Sequence, residues 1–385
     1  MGARVEEAFI LYKLSCFVHF TAFAALSSKA PGPAANRLSY SHADQLPHKD
    51  FVKKPAMSTH LQVTRRAAFQ NVSAFAAAAA FPALAQTAWP TKPIRLLVPF
   101  APGGSSEIVA RSAANELSKT LGQSVFVENK PGASGNIAMA ECAQSLDAHT
   151  LILGHIGTFA VNPFIFDKLP FDTNRDFKPI SLLAKVPSLY VVNAEIPAKN
   201  LKEFIALAKS KPGRLNYGSA GNGSAGHLAF EYLKMVSDTF VLHVPYRGTG
   251  PQLTDLLAGR LDAAAVGAPA ILAHIKSGKL RAIATGTKER LPQLPDVPTA
   301  QESGYPGFEM IQWYGLNAPV NMAQAAIEKI ADACAKAMKN PLATERLRGD
   351  TALPVGDTPA QYGAFIAAEQ ARWKVVVARA KIKPD

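Results

Sequence analysis

The sequence predicts an α/β protein of two units, and three observations carry that prediction. From Trp89 onward, short runs rich in β-branched residues alternate with longer amphipathic segments. Glycine-rich turns stand where a run ends and an amphipathic segment begins. The rhythm resets after Pro179, so the series is written twice. Repeated strand-turn-helix implies parallel sheets with right-handed crossovers.

The first unit opens with a strand over residues 94–99 and the turn Pro102-Gly103-Gly104. Ser105 or Ser106 is placed to cap a helix that runs through Val109, Ala113 and Leu117 and ends near Gly122. A strand at 125–128, a loop at 129–135, a helix at 136–146 and a strand at 151–153 follow. Segments 180–184 and 189–192 read as two strands that lead the chain out. The second unit runs helix 201–210, strand 215–217, helix 225–236 and strand 241–244. It continues with helix 252–257, strand 263–266, helix 270–277 and strand 282–285. The proline-rich stretch 291–298 breaks the pattern, 312–318 reads as one more strand, and helices at 323–338 and 359–380 close the chain. Two units with a return segment suggest two lobes joined by two crossings, able to close like a hinge. The expected division is 86–188 with 308–385 for one lobe and 189–307 for the other.

Composition excludes several classes. With 385 residues, 48% hydrophobic and 18% charged, the chain can bury a large core and is not charge-dominated disorder. Three cysteines make neither a disulfide scaffold nor a four-thiolate zinc site. Cys142 and Cys334 fall in expected helices and read as a pair or as two buried thiols. The net charge of +12 is spread out: residues 1–85 carry nine basic and four acidic side chains, the remainder 32 and 25. No clustered Lys/Arg with interleaved aromatics occurs, so nucleic acid is not an expected partner. A mildly basic surface favours small anions instead.

The N-terminal 85 residues read as an address. Met57 opens an export signal with Arg65 and Arg66, the apolar run 72–81, and the small-residue site Ala83-Leu84-Ala85. The run is too short to span about 30 Å of hydrocarbon. Thr64-Arg65-Arg66-Ala67-Ala68-Phe69 resembles a twin-arginine motif, so the expected destination is the periplasm by either export route. Residues 1–56 read as a non-native extension ahead of the true start at Met57, with an uncleaved anchor and tether as the alternative.

The glycine-rich loops hold the chemistry. Phe100-Ala-Pro-Gly-Gly-Ser-Ser106 joins the first strand to its helix, where α/β folds place ligands and a helix start offers free N–H donors. It lacks the Gly-Lys-[Ser/Thr] of a phosphate loop. Gly221-Asn-Gly223-Ser-Ala-Gly226 spells a dinucleotide fingerprint, but the following strand brings no ribose-binding acid. It reads better as a second anion-accepting helix start with Ser219, Ser224 and His227 as donors. His155-Ile-Gly-Thr158 forms a third rim, and Tyr246-Arg247-Gly248 and Gly267-Ala268 end strands of the second unit. The alternative for the first loop is a tight turn with no ligand, for His227 a solvated helix-face histidine, and for Arg247 a surface arginine. No Gly-x-Ser-x-Gly, His-Glu-x-x-His or Cys-x-x-Cys occurs, and no histidines stand at i, i+4 beyond the leader, so no metal or cofactor is expected. An exported enzyme acting on small carboxylic acids is the competing reading, with His155, His227 or Glu107 as base.

Five segments together resemble a known family. They are Val98-Pro-Phe-Ala-Pro-Gly-Gly-Ser-Ser-Glu107, Val127-Glu-Asn-Lys-Pro-Gly-Ala-Ser-Gly-Asn136, Ser219-Ala-Gly-Asn-Gly-Ser-Ala-Gly-His227, Val244-Pro-Tyr-Arg-Gly-Thr249 and Leu294-Pro-Asp-Val-Pro-Thr-Ala-Gln-Glu302. They resemble the Bug-type substrate-binding proteins of tripartite tricarboxylate transport, in order over about residues 89–385. The resemblance implies a two-lobed, type II-like periplasmic binding fold that closes on a small organic anion, a carboxylate. It also implies a monomer that serves a tripartite-type permease or a sensor. It points to Phe100, Ala101, Gly103, Gly104, Ser105 and Glu107 on the first loop, and to His155, Gly157 and Thr158 on the next. On the second lobe it points to Ser219, Gly221, Ser224 and His227, with Tyr246, Gly267 and Ala268 completing the expected site. Two departures bear on the ligand. Glu107 stands where relatives usually carry Asp, and Ser224-Ala-Gly-His227 lacks their hydroxyl pair before the histidine.

Overall fold

The computed structural model describes residues 89–383; the export signal and residues 1–56 lie outside them. The described residues hold ten strands: β1 (Ile94–Val98), β2 (Val125–Asn129), β3 (Thr150–His155), β4 (Phe177–Asn193) and β5 (Asn216–Ser219), then β6 (Leu242–Pro245), β7 (Ala263–Gly267), β8 (Leu280–Thr285), β9 (Ile311–Pro319) and β10 (Leu353–Pro354). The first sheet has the order β2-β1-β3-β9-β4, with β10 against the far side of β4. The second is built on the other half of β4, which pairs with both β7 and β8, and β5 and β6 extend it beyond β7.

The helices are α1 (Ser105–Leu121), α2 (Asn136–Ala143), α3 (Leu201–Ser210), α4 (Ala225–Ser237) and α5 (Thr249–Leu257), then α6 (Ala268–Lys276), α7 (Gln324–Lys339), α8 (Pro341–Gly349) and α9 (Pro359–Ala380). In α1, Val109, Ala113 and Leu117 recur every fourth residue and are fully buried, and left-handed Gly122 ends the helix. Thr358 and Gln361 form a capping box at α9, with Pro359 in the first turn. One apolar core lies between the first sheet and α1 and α7, and another between the second sheet and α5 and α6. A third is continuous over the opposite faces of both sheets.

Several expectations change. The sheets are mixed, because β9 runs antiparallel to β3 and β4, and β4 antiparallel to β7 and β8. A chain that leaves one lobe on β4 and returns on β9 must travel in opposite directions on the two. The two short strands expected at 180–184 and 189–192 are one strand of 17 residues. Its prolines do not interrupt it: Pro179 borders a register shift against β9, and Pro187 stands where β4 passes from one sheet to the other. Gly104, not a serine side chain, is the cap residue of α1. The helix expected to reach 146 stops at Ala143, and α8, β10 and a π-type turn at Ile156–Val161 are additions. Cys142 and Cys334 are both buried free thiols, and burial pushes Cys334 up to about 12.

The crossing point is tied by backbone hydrogen bonds. Gly286 N–H donates to Ser188 O at 2.8 Å and Met310 N–H to Gly286 O at 2.8 Å. Below it, the Glu369 carboxylate of α9 accepts from the indole N–H groups of Trp313 (2.9 Å) and Trp373 (3.1 Å). Replacing Glu369 by Ala orphans two buried donors, which costs roughly 2–4 kcal/mol. Urea unfolding should therefore show a much lower midpoint for E369A than for E369Q, which keeps an acceptor. Equal midpoints would remove this tie from the account.

Candidate functional site

Four helices begin at the carboxyl ends of strands and point toward one place. They are α1 after β1, α4 after β5, α5 after β6, and α6 directly after β7. Each presents free N–H groups and roughly half a positive charge at its first turn. Ser105 and Ser106 of α1, Ser224 and Gly226 at α4, Thr249 of α5 and Gly267 before α6 all line one cleft between the two sheets. Phe100, His155, Gln252, Gln312 and Tyr314 complete its walls. No Lys, Arg, Asp or Glu lines it. The space within it is about 20 Å³, room for one water. Ser105 is 3% exposed, and its hydroxyl has no hydrogen-bond partner among the described residues.

The cleft is this narrow because backbones of the two lobes touch. A Cβ on Gly157 would collide with the Gly223 carbonyl, and one on Gly250 with the Pro102 carbonyl. A Cβ on Gly248 would stand 2.7 Å from Ala101 N. Ala101 N–H donates to Arg247 O across the gap at 3.2 Å.

Histidines set the walls. His155 Nδ1 accepts from Gly157 N–H at 2.9 Å, which assigns the ring proton to Nε2, and Thr158 Oγ1 bonds the His155 backbone. The ring packs on Phe100 and Tyr314 at 4.9 and 5.6 Å between centroids. Burial lowers its pKa to about 3, so it is a neutral donor at the cleft. Behind the 219–224 loop, Gly223 N–H donates to His227 Nδ1 at 3.0 Å, and His243 Nε2 meets Ser219 Oγ at 2.6 Å. The two rings stack at 4.2 Å. Burial, with Lys234 adding to it, lowers His227 to about 4, and burial with His227 beside it lowers His243 to about 3.

Of the expected site residues, Phe100, Ser105, His155, Ser224 and Gly267 line the cleft. Gly104 caps α1 beside it, and Ala101 and Gly103 meet the opposite lobe at its rim. Gly157, Thr158, Ser219 and His227 stand behind it as supports. Gly221 and Tyr246 line a separate outer groove, and Ala268 is the buried first residue of α6. Glu107 turns away: its carboxylate accepts from Gly103 N–H at 2.8 Å and pairs with Arg111. That leaves the competing enzymatic reading with one cleft base, His155, whose ring makes no hydrogen bond to a cleft serine or threonine hydroxyl among the described residues. Sequence reasoning missed Ser106, Thr249, Gln252, Gln312 and Tyr314. Gln312 was detectable as one of two amides, with Asn317, in an otherwise largely apolar strand, since burying an amide is costly without a purpose.

Comparison with known proteins fits this geometry. Residues 109–382 match the model of the tripartite tricarboxylate transporter family receptor, TctC. The chain is 35% identical over 319 residues to Protein BugT of Bordetella pertussis, covering 82% of this chain and 98% of BugT. The structure of R. palustris Rpa4515 with adipate superposes with a TM-score of 0.75 at 34% identity, over 77% of this chain and all of that one. The periplasmic binding protein BugD gives 0.74 at 31% identity, with the same coverage of both chains. These relatives are receptors and binding proteins, not enzymes.

The depressed histidines make stability fall in acid. Unfolded, the rings protonate near pH 6.5; folded, only near 3 to 4, so the unfolded chain binds more protons in between. Their contribution is complete above about pH 6.5 and drains as pH falls toward the folded values. At pH 5 the loss is roughly 2 kcal/mol for each buried ring. Urea midpoints should be lower at pH 5 than at pH 7, and H227Q, which keeps an acceptor for Gly223, should narrow the gap. A midpoint independent of pH would contradict the neutral burial.

Proposed function

We propose, for a chain that belongs to the tripartite tricarboxylate transporter receptor family, that it captures a small organic acid in the interlobe cleft and presents it to a tripartite-type permease. The observation that carries this reading is four helix starts and the unpartnered Ser105 hydroxyl facing one cleft with no charged side chain in it. Such a wall is short of negative charge, and a carboxylate supplies it with acceptor oxygens to match. Micromolar affinity requires about 8 kcal/mol. Charge-assisted hydrogen bonds at roughly 1.5–3 kcal/mol each reach that with a handful of donors. The adipate bound by the Rhodopseudomonas relative supports a carboxylate as the ligand.

Capture requires opening, because an organic acid cannot enter a space of about 20 Å³. The lobes, taken as 86–188 with 308–385 and as 189–307, separate about the Ser188, Gly286 and Met310 crossing and close again on the ligand. The open and closed shapes give the permease two states to tell apart. The receptor acts in the periplasm as a monomer, after export by the signal ending at Ala85.

A thermal-shift screen of organic acids against their neutral amides tests the reading. An acid at a hundred times its Kd adds about 2.7 kcal/mol, several degrees for a protein of this size, and its amide adds nothing. Denatured protein is also examined by mass spectrometry, so that a co-purified acid is found. A flat screen with no acid released would sink the proposal. Gly157→Ala keeps an ordinary backbone conformation but wedges the lobes apart at Gly223. Calorimetry should show it binding the selected acid at least about tenfold more weakly, while unliganded melting changes little. Undiminished affinity would mean that closure does not need this contact.

A further inference from the structure

A side chain of the cleft wall reaches the crossing between the lobes. Gln312 lies on β9, where its backbone pairs with Val186 in the first sheet. Pro187 is the last residue of β4 paired with β9, and Ser188 is the first paired with β7 of the second sheet. Gln312 Nε2 donates to Ser188 Oγ at 3.4 Å, so this amide spans the seam between the sheets. Its Oε1 accepts from the Tyr314 hydroxyl at 2.8 Å. Tyr314 stacks on His155, and His155 packs against Phe100 of the first loop. All five residues are buried. Ser188 stands opposite Gly267, the residue from which α6 starts at the cleft. A buried path thus runs from the first loop through Tyr314 and Gln312 to the crossing and to a helix start of the second lobe.

Two features of the amide need explanation. Its bond to Ser188 is long beside the about 2.7–3.2 Å usual for such a pair, so a small rotation of the lobes strengthens or breaks it. Its second Nε2 hydrogen has no partner among the described residues, and Gln312 lines the cleft. A buried N–H without an acceptor is costly, and an acid oxygen in the cleft supplies one.

We propose that Gln312 couples the ligand to lobe closure, one amide N–H donating to the bound acid while the other ties β9 to Ser188 at the crossing. The inference rests on the reading of the cleft as the seat of a carboxylate. Tyr314 holds Oε1, which restrains the amide plane, so a ligand that fixes the N–H on the cleft side also fixes the one directed at Ser188. Occupancy then favours the lobe angle at which the Ser188 bond is made, and dissociation waits for that bond to break. Gln312 touches the ligand; Ser188 acts through it, as a positioning residue.

The test combines calorimetry and stopped-flow kinetics on the exported protein with acetate, succinate, glutamate and adipate as probes, the tightest binder being carried through. S188A leaves every residue of the cleft wall in place. It should raise the dissociation rate about five- to tenfold while the association rate changes little. Q312M, similar in shape but without an N–H, should bind more weakly than S188A, and the double variant should bind as Q312M does, because the serine acts through the amide. Melting without ligand checks that each variant folds; if Q312M does not, the dissociation rate of S188A decides alone. An S188A rate equal to that of the wild type overturns the coupling while the cleft stands. So does an S188A effect that persists in full beside Q312M, since the serine then acts on the crossing by itself. A wild type that binds none of the four acids overturns the reading of the cleft, and this inference with it.

Discussion

The site depends on two backbones from different lobes meeting without side chains between them. The field of a helix start fades within about a turn of the helix, so four such starts act on one group only if they enclose a very small space. Gly157 against Gly223, Gly250 against Pro102 and Gly248 against Ala101 allow that approach. A single methyl at any of these positions displaces a lobe, and all four helix starts lose their common focus together. The glycines of this protein are therefore better understood as interface residues than as loop residues.

The frame beneath the cleft explains how the approach can be reversible. Both sheets share β4, and the chain returns to the first sheet through the segment that leads into β9, which then pairs beside β4. The backbone bonds among Ser188, Gly286 and Met310 lie at that crossing, where a bend opens the far ends of the lobes most and disturbs the paired strands least. Gln312 and Tyr314 project from β9 into the cleft just beyond the crossing. Their amide and hydroxyl are joined by a hydrogen bond of 2.8 Å. The strand that leads away from the crossing thus also supplies part of the wall.

The absence of charge from the wall is a choice with a chemical consequence. Neutral His155, three serines, a threonine and backbone N–H groups offer donors without a cation that would need its own counter-ion. Buried unpaired charges are expensive, whereas helix starts are already partly satisfied by the peptide dipoles behind them. The imidazoles of His227 and His243 do their work one layer back, holding the 219–224 loop by its backbone and by Ser219.

Local pattern determined much of this protein. Alternating strands and helices, the helix start at Ser105, the cap at Ser224 and the glycine loops are all encoded by neighbours within a few residues of one another, which is the range over which periodicity and capping act. The five motif segments were legible for the same reason. What only the tertiary structure decided are the pairings between residues far apart. Pro179 and Pro187 look like strand breakers until β9, β7 and β8 pair around them. Glu107 is a local exception: Gly103 N–H and Arg111, each four residues away, turn its carboxylate from the cleft, so near neighbours in sequence decided its role. Gln312 and Tyr314 enter the site because a strand more than a hundred residues from the first loop is inserted between β3 and β4. Sequence fixes what each segment can form, and long-range packing decides which faces meet, because burial and pairing energies depend on partners that no local window contains.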